Sequence, residues 1–395
     1  MPGGADSHKS EIMRRLTRRG FLHCAAGAGL GLSGSQLLTG CGGTPPPLIG
    51  AVTDVPVDTT SRVSVIRGLD LYEMTHQALD AVGGIESVVH PGETVFIKPN
   101  LGGVDFVSHN SFLGGESAKV EIIVTVAEAC LQAGASKVII GEGGQVRQFS
   151  WEHAVTLDGS TNLAAEAARL NAAYPDKLQL ACLMVDSPEW DPVPSPHTDL
   201  GEIYISSLLA RADRVISIAP IKTHRWTYIT GTMKNFVGST SFDRYGSGMP
   251  WRYALHNAAG GVSQCFLDIV AGIRPDLAIV DGSICCEGNG PHVLPIWWGT
   301  TVDVRNRLGD WFLLAGTDLP ALDATAARII GQDVAGVPYL VNAYNQGLGQ
   351  IQESQIQLVG ASLDELRMNW TPAQHLEGFG DVILPTLILQ SLGLW

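Results

Sequence analysis

Short apolar runs rich in β-branched residues recur along the chain, and most stop abruptly at glycine or a charged residue. Stretches with apolar positions three and four residues apart separate them. The first pattern predicts buried strands and the second predicts helices with one face on a core. Residues 63–67 form the first such run. Residues 71–82 follow as a helix with Leu71, Met74, Ala78 and Val82 on one face. The run 94–97 leads into Lys98-Pro99-Asn100, and 117–133 reads as a helix closed by Gly134. Residues 137–140 run into Gly141-Glu142-Gly143-Gly144. A helix over 162–173, strands over 178–185 and 203–205, and a short helix over 208–212 come next. The Pro-rich stretch 187–196 reads as a surface loop between those two strands. The run 215–221 ends in Lys222, Thr223 and His224, and Lys234 and Asn235 follow in a segment able to form a short helix. A helix over 261–272, a strand over 277–280 ending at Asp281-Gly282, a strand over 311–315 and a helix over 319–330 complete the alternation. Strand–helix–strand repeats of this length imply parallel pairing. The expected fold is α/β: a mainly parallel β-sheet with helices on both faces, elaborated by inserted loops and a C-terminal extension.

The first forty residues break this pattern. Thr17-Arg18-Arg19-Gly20-Phe21-Leu22 is a twin-arginine sequence, followed by a weakly hydrophobic Gly/Ala/Leu stretch over 25–38. That stretch is too short and too Gly-rich for a stable membrane span. It ends in Leu38-Thr39-Gly40-Cys41, which resembles a lipobox, with Cys41 as the lipid attachment residue. The expected organisation is a Tat signal peptide with lipobox over 1–40, a tether over 41–60, an α/β domain over 61–335 and a C-terminal extension over 336–395 packed on the same body. The expected location is exported by Tat, periplasmic or at the cell surface, and membrane-anchored through Cys41. The alternative is a plain Tat signal with Cys41 as a spacer. Hydrophobic residues between 370 and 395 pack on the body or on the membrane surface.

With 45% hydrophobic and 16% charged residues, the 395-residue chain can bury a large core. Its net charge is −14, and residues 1–40 carry five Lys/Arg against two Asp/Glu, so the remainder is more acidic still. An acidic chain lacks the basic footprint that nucleic-acid binding requires. An anionic small molecule in a locally basic cleft is compatible with it. Seven cysteines are present. Their spacing contains no Cys-x-x-Cys, so neither an iron–sulfur cluster nor a structural zinc has support from a cysteine motif. Cys130, Cys182 and Cys265 sit in apolar patterns. Adjacent Cys285 and Cys286 read as small loop-edge residues, with a vicinal disulfide or a soft-metal pair as the alternative.

Parallel strands bring their carboxyl ends to one edge, where ligands bind in open α/β sheets. The polar residues at strand ends therefore become site candidates. Lys98, Lys222 and Lys234 would hold an anion, with Asn100, Thr223 and Asn235 as further ligand-binding residues. His224 or Glu142 would move a proton, and Lys222 joins them as a catalytic candidate. Gly143 and Gly144 would offer backbone N–H groups to a ligand, although Gly-Glu-Gly-Gly matches neither the P-loop nor the dinucleotide fingerprint. Asp281 and Glu287 are oxygen donors for a divalent metal, or partners for the lysines in a structural charge network. His292 is a further ligand or base. Arg244, Trp251, Arg252 and His256 form an aromatic-basic segment able to cover the cleft. No Gly-x-Ser-x-Gly elbow or His-Glu-x-x-His is present, which removes the main cues for a serine hydrolase or a zincin.

Several of these short motifs, in this order, resemble the domain-of-unknown-function 362 family across most of residues 60–335. They are Lys98-Pro99-Asn100, Gly141-Glu142-Gly143, Ile221-Lys222-Thr223-His224, Thr230-Gly231, Met233-Lys234-Asn235 with Gly238, Asp281-Gly282, Glu287-Gly288 with Gly290-Pro291, and Asp318 with Ala321 and Asp323. The resemblance implies little chemistry. Some members carry ferredoxin-like cysteine runs, which implies redox company, and this chain lacks those runs. The expected function is an extracytoplasmic protein, as an enzyme on an anionic small molecule or cofactor. The alternatives are an anion- or metal-binding lipoprotein without catalysis and an accessory partner of a periplasmic redox complex.

Overall fold

The computed structural model describes residues 60–102, 114–144, 148–246, 252–293 and 298–376. Arg18, Arg19, Cys41, the tether, Trp251 and residues 377–395 lie outside the described residues, as does most of the glycine- and serine-rich loop 102–115.

The strands are β1 (Ser61–Gly68), β2 (Thr94–Pro99), β3 (Lys137–Glu142), β4 (Leu178–Cys182), β5 (Trp190–Ser195), β6 (Gly201–Ser206), β7 (Arg214–His224), β8 (Tyr228–Thr230), β9 (Leu277–Gly288), β10 (Gly299–Asp303), β11 (Trp311–Gly316) and β12 (Ile356–Gly360). The longer helices are α1 (Leu71–Ala81), α2 (Val120–Gln132), α3 (Leu163–Ala173), α4 (Gly261–Ile273), α5 (Leu319–Ile329) and α6 (Pro338–Asn345). The main sheet has the order β12-β1-β11-β9-β7-β2-β3-β4. Pairing is parallel from β9 through β7, β2 and β3 to β4, and again between β1 and β12. β11 alone along this path runs against its neighbours, pairing antiparallel with both β1 and β9. This is an α/β fold with a mostly parallel central sheet and helices around it.

The helix ends follow their sequence signals. Asp70 caps α1 by accepting from the N–H groups of Tyr72 and Glu73, and Asn162 caps α3. Gly134 follows α2 with φ of 93°, a left-handed conformation that disfavours a side chain.

Three elements depart from expectation. The Pro-rich stretch is a strand, not a free loop: β5 pairs antiparallel with β6 in a separate two-stranded sheet. Pro192 and Pro194 are tolerated there because a two-stranded ribbon has an outer edge that needs no N–H donor. The run 178–185 stops as a strand at Cys182 and turns into a single helical turn, Leu183–Asp186. The strand expected to end at Val280 continues to Gly288 as β9. Gly282 reads as a terminator, but a Cβ there would lie 2.4 Å from the Phe312 ring, so the missing side chain admits the neighbouring strand's aromatic group.

As far as residue 376, the C-terminal segment packs against the sheet and its loops. β12 extends the sheet beside β1, and the backbone N–H groups of Thr371 and Gln374 donate to Glu287 and Asn289.

Candidate functional site

β7 carries Lys222 and His224 past the core to the carboxyl edge of the sheet, and strand alternation puts both on one face. The chain turns back through β8 and then runs into a 3₁₀ segment, Lys234–Ser239. Two buried groups hold this return. Asn235 Nδ2 donates to the carbonyl of Lys98 at 2.6 Å and to Ser217 Oγ at 3.1 Å. Asp323 accepts from the backbone N–H and the hydroxyl of Thr232 at 2.7 and 2.8 Å. Lys234 is thereby positioned opposite Lys222.

Between them lies a cavity of about 90 Å³. Among the described residues it is lined by Asn100, Lys222, His224, Lys234, Arg252, His256 and His292, with Trp226, Trp298 and a few small or apolar residues completing the wall. The aromatic rings form a chain: His224 to Trp226 at 5.6 Å, Trp226 to His256 at 5.8 Å and His292 to Trp298 at 5.3 Å between centroids.

The cations of this wall are held unequally. Lys222 Nζ donates to Asn100 Oδ1 at 2.8 Å and to the Glu116 carbonyl at 2.5 Å. Burial brings its pKa down to about 8, against the pull of nearby Glu116. Arg252 donates to the carbonyls of Thr240, Gly144 and Gly238 from a left-handed backbone conformation, φ 54°. Lys234 makes no hydrogen bond or ion pair with any described residue, and burial, then Lys222 and Arg252, lower its pKa to about 7.

Two of the histidines, His224 and His256, are held neutral. His224 Nδ1 accepts the Trp226 N–H at 3.1 Å, which leaves the ring proton on Nε2. Burial first, then the charge of Lys234, push its pKa well below the ordinary histidine value. The same two causes take His256 down to about 3, and its Nδ1 lies 3.3 Å from the Arg252 carbonyl. His292 Nδ1 lies 3.2 Å from Glu116 Oε2. Burial raises the Glu116 pKa, yet His292 and the Val293 N–H outweigh it and hold the carboxyl below its usual range.

Several expected site residues lie beneath the cavity rather than in its wall. Lys98 is fully buried and pairs with Glu142 at 2.8 Å. Glu142 also accepts from the N–H groups of Leu101, Gly143 and Gly144. Its oxygens are thus occupied, and the glycine N–H groups point to Glu142 instead of to a ligand. Gly143 is required by packing: a Cβ there would lie 1.9 Å from the Gly238 carbonyl. Asn235 is consumed in anchoring. Thr223 alternates to the other side of β7, where its hydroxyl donates to the Gly288 carbonyl. Asp281 and Glu287 do not converge on a common point. Asp281 accepts from Ser283 and pairs with Lys119, while Glu287 pairs with Arg307 at 2.6 Å. Their partners are therefore Lys119 and Arg307, not the lysines expected from the sequence. Among the described residues, no group of three or more His, Cys, Asp or Glu side chains is placed to hold a metal ion. Cys285 and Cys286 are buried free thiols. Asp318 lies at the opposite end of the sheet, where it bonds Ser61 and caps α5, because β11 is reversed. Arg244 stacks on Tyr204, 3.5 Å from the ring centroid, away from the cavity.

Sequence reasoning missed Trp226, Trp298, Glu116 and Lys119. Glu116 and Lys119 flank the start of α2 in a stretch read only as loop and helix. Trp226 and Trp298 follow no periodic pattern.

The family model for a domain of unknown function, DUF362, matches residues 95–328. A thylakoid-associated protein of Synechocystis sp. is 25% identical over 271 residues, which cover 68% of this chain and 73% of that protein. Among solved structures, the lactate racemase apoprotein of Thermoanaerobacterium thermosaccharolyticum aligns over 58% of this chain and 52% of its own, with 9% identity and a TM-score of 0.32. A protein from Thermotoga maritima aligns over 60% and 55%, with 12% identity and a TM-score of 0.29. The chain thus spans about half the length of these two solved structures. With more than half of its own length under the family model, the chain belongs to the domain-of-unknown-function family DUF362.

Proposed function

We propose that the cavity beyond β7 binds a small anionic molecule, a carboxylate or phosphate, as the substrate or ligand of this protein. One observation carries the reading. Lys222, Lys234 and Arg252 line the cavity, no carboxylate stands among its described lining residues, and Lys234 has no acceptor from the described protein. Desolvated ammonium groups that repel each other favour an anion between them. The three lining histidines, His224, His256 and His292, give the same cavity groups able to take or give a proton, which favours an enzyme over a passive binder. The test is a thermal-shift series with acetate, propionate and inorganic phosphate. The melting temperature of the wild type should rise with at least one of these anions, by mass action. No rise with any of them would remove the reading.

We propose also that this site works outside the cytoplasm. The support is Arg18-Arg19 followed by Leu38-Thr39-Gly40-Cys41.

A further inference from the structure

We infer that Lys234 captures carbonyl compounds covalently: its Nζ condenses with the carbonyl of a small 2-oxo acid held in the cavity. This rests on the anion site proposed above and names its substrate class.

Four lysines gather at the carboxyl edge of the sheet, and their surroundings differ in kind. Lys98 is ion-paired with Glu142 and also donates to the Pro99 carbonyl. Lys119 pairs with Asp281 and donates to the carbonyls of Ser117 and Ile284. Lys222 donates to Asn100 Oδ1 and to the Glu116 carbonyl. Each of these acceptors holds a proton on nitrogen and keeps the amine from acting as a nucleophile. Lys234 has no such acceptor among the described residues, and its side chain lines the cavity. The cavity therefore divides the labour: Lys222 and Arg252 supply fixed positive charge for a carboxylate, and Lys234 supplies a free amine. With a pKa of about 7, half of Lys234 is uncharged at that pH, about a thousandfold more free amine than an ordinary lysine offers.

Size points to the same class. The cavity is small, about 90 Å³. That favours the smallest molecule that carries both groups, glyoxylate, in which carboxylate and carbonyl are adjacent, followed by pyruvate. The step balances without any oxidant or reductant. The neutral Lys234 nitrogen forms a bond to the carbonyl carbon and gives up one of its two protons, and the carbonyl oxygen takes up that proton and one more from solvent and leaves as water. The product is an iminium that carries one proton's charge. His224, with its proton on Nε2, and His256 line the same cavity as Lys234, so they are placed to relay those protons.

The full chain is incubated with glyoxylate or pyruvate and sodium cyanoborohydride, and the adduct is located by peptide mapping. The expected result is one reduced adduct per chain, on Lys234, absent from Lys234→Arg. The labelling rate should rise through about pH 7, where burial first, then Lys222 and Arg252, bring the amine; His224, His256 and His292 line the same cavity. Mapping on the wild type decides the matter even if the variant fails to fold. Adducts spread over exposed lysines, with Lys234 unlabelled, overturn the inference. No adduct alongside a thermal shift with acetate or propionate overturns the covalent step and leaves the anion site standing. Neither adduct nor shift overturns both.

Discussion

Lys234 is a charge the fold accommodates poorly without a ligand. Its folded pKa of about 7 lies below the ordinary 10.5, so its contribution to stability is present above pH 10.5 and lost as pH falls towards 7. Lys234→Met should therefore stabilise the ligand-free protein at pH 7, on the order of 1–3 kcal/mol, less than the full shift implies because the side chain keeps some solvent contact. The same variant should lose any stabilisation by acetate or phosphate. Urea unfolding with and without the anions measures both, and a Lys234→Met protein that still gains from the anions contradicts the placement of the site. His256 supplies a second residue-scale test. Its pKa is depressed from 6.5 to about 3, so its contribution is present above pH 6.5 and lost as pH falls towards 3. His256→Gln should lose less stability than the wild type between those two pH values. Equal losses would mean that the protein does not desolvate the ring. Reading a residue by type has a limit here: Lys234 and Lys98 look alike in sequence, and only their neighbours make one an available amine and the other half of a buried ion pair.

Beneath the cavity, the turn after β3 and the 3₁₀ segment Lys234–Ser239 lock together. Lys98 and Glu142 sit between them, and Gly143 lets the Gly238 carbonyl approach. Lys98→Met leaves the Glu142 carboxylate buried without its cation and should cost about 3–5 kcal/mol in chemical denaturation. Adding Glu142→Gln should recover part of that loss, and full additivity of the two changes would argue against a direct pair. Gly143→Ala should destabilise by on the order of 3 kcal/mol, because its Cβ meets backbone and not a side chain that can move. It should also weaken anion binding, since the segment that carries Lys234 is displaced. At this scale much was legible. The apolar runs of β1, β2, β3, β7 and β11 and the amphipathic pattern of α1, α2 and α5 stand close to where periodicity puts them. The misread elements have local reasons. Pro192 and Pro194 argue against a strand unless it has a free edge, and Gly282 argues for a stop unless an aromatic ring fills its place.

For the whole molecule, the twin-arginine sequence and the Leu38–Cys41 lipobox resemblance lead to one expectation: export followed by anchoring. Replacing Arg18 and Arg19 by Lys should block export, as followed by cell fractionation. Cys41→Ser should yield an exported but released protein that takes up no lipid label. Normal export of the double-lysine variant would refute the Tat proposal, and lipid labelling of the Cys41→Ser protein would refute the anchor. The sheet itself ties distant segments together at this scale. β12 closes against β1, and Thr371 reaches back to Glu287, so truncation after residue 350 removes backbone partners from the first strand.

The chain's periodicity determined the α/β class and the strand ends where polar residues collect, because a buried strand and an amphipathic helix each impose a repeat that needs no partner to be read. It also brought Lys222, His224 and Lys234 forward as a group, since charged residues directly after apolar strands have few structural uses. Tertiary structure alone decided how the charges pair. Glu142 went to Lys98, Asp281 to Lys119, Glu287 to Arg307 and His292 to Glu116. Ion pairing in a low-dielectric interior depends on a few ångströms of separation, and nothing in a linear sequence records distances between residues far apart along the chain. The direction of β11 was hidden for the same reason. It depends on how the chain crosses the sheet, and it carries Asp318 to the edge opposite the cavity while the neighbouring strand leaves Lys222 and His224 beside it.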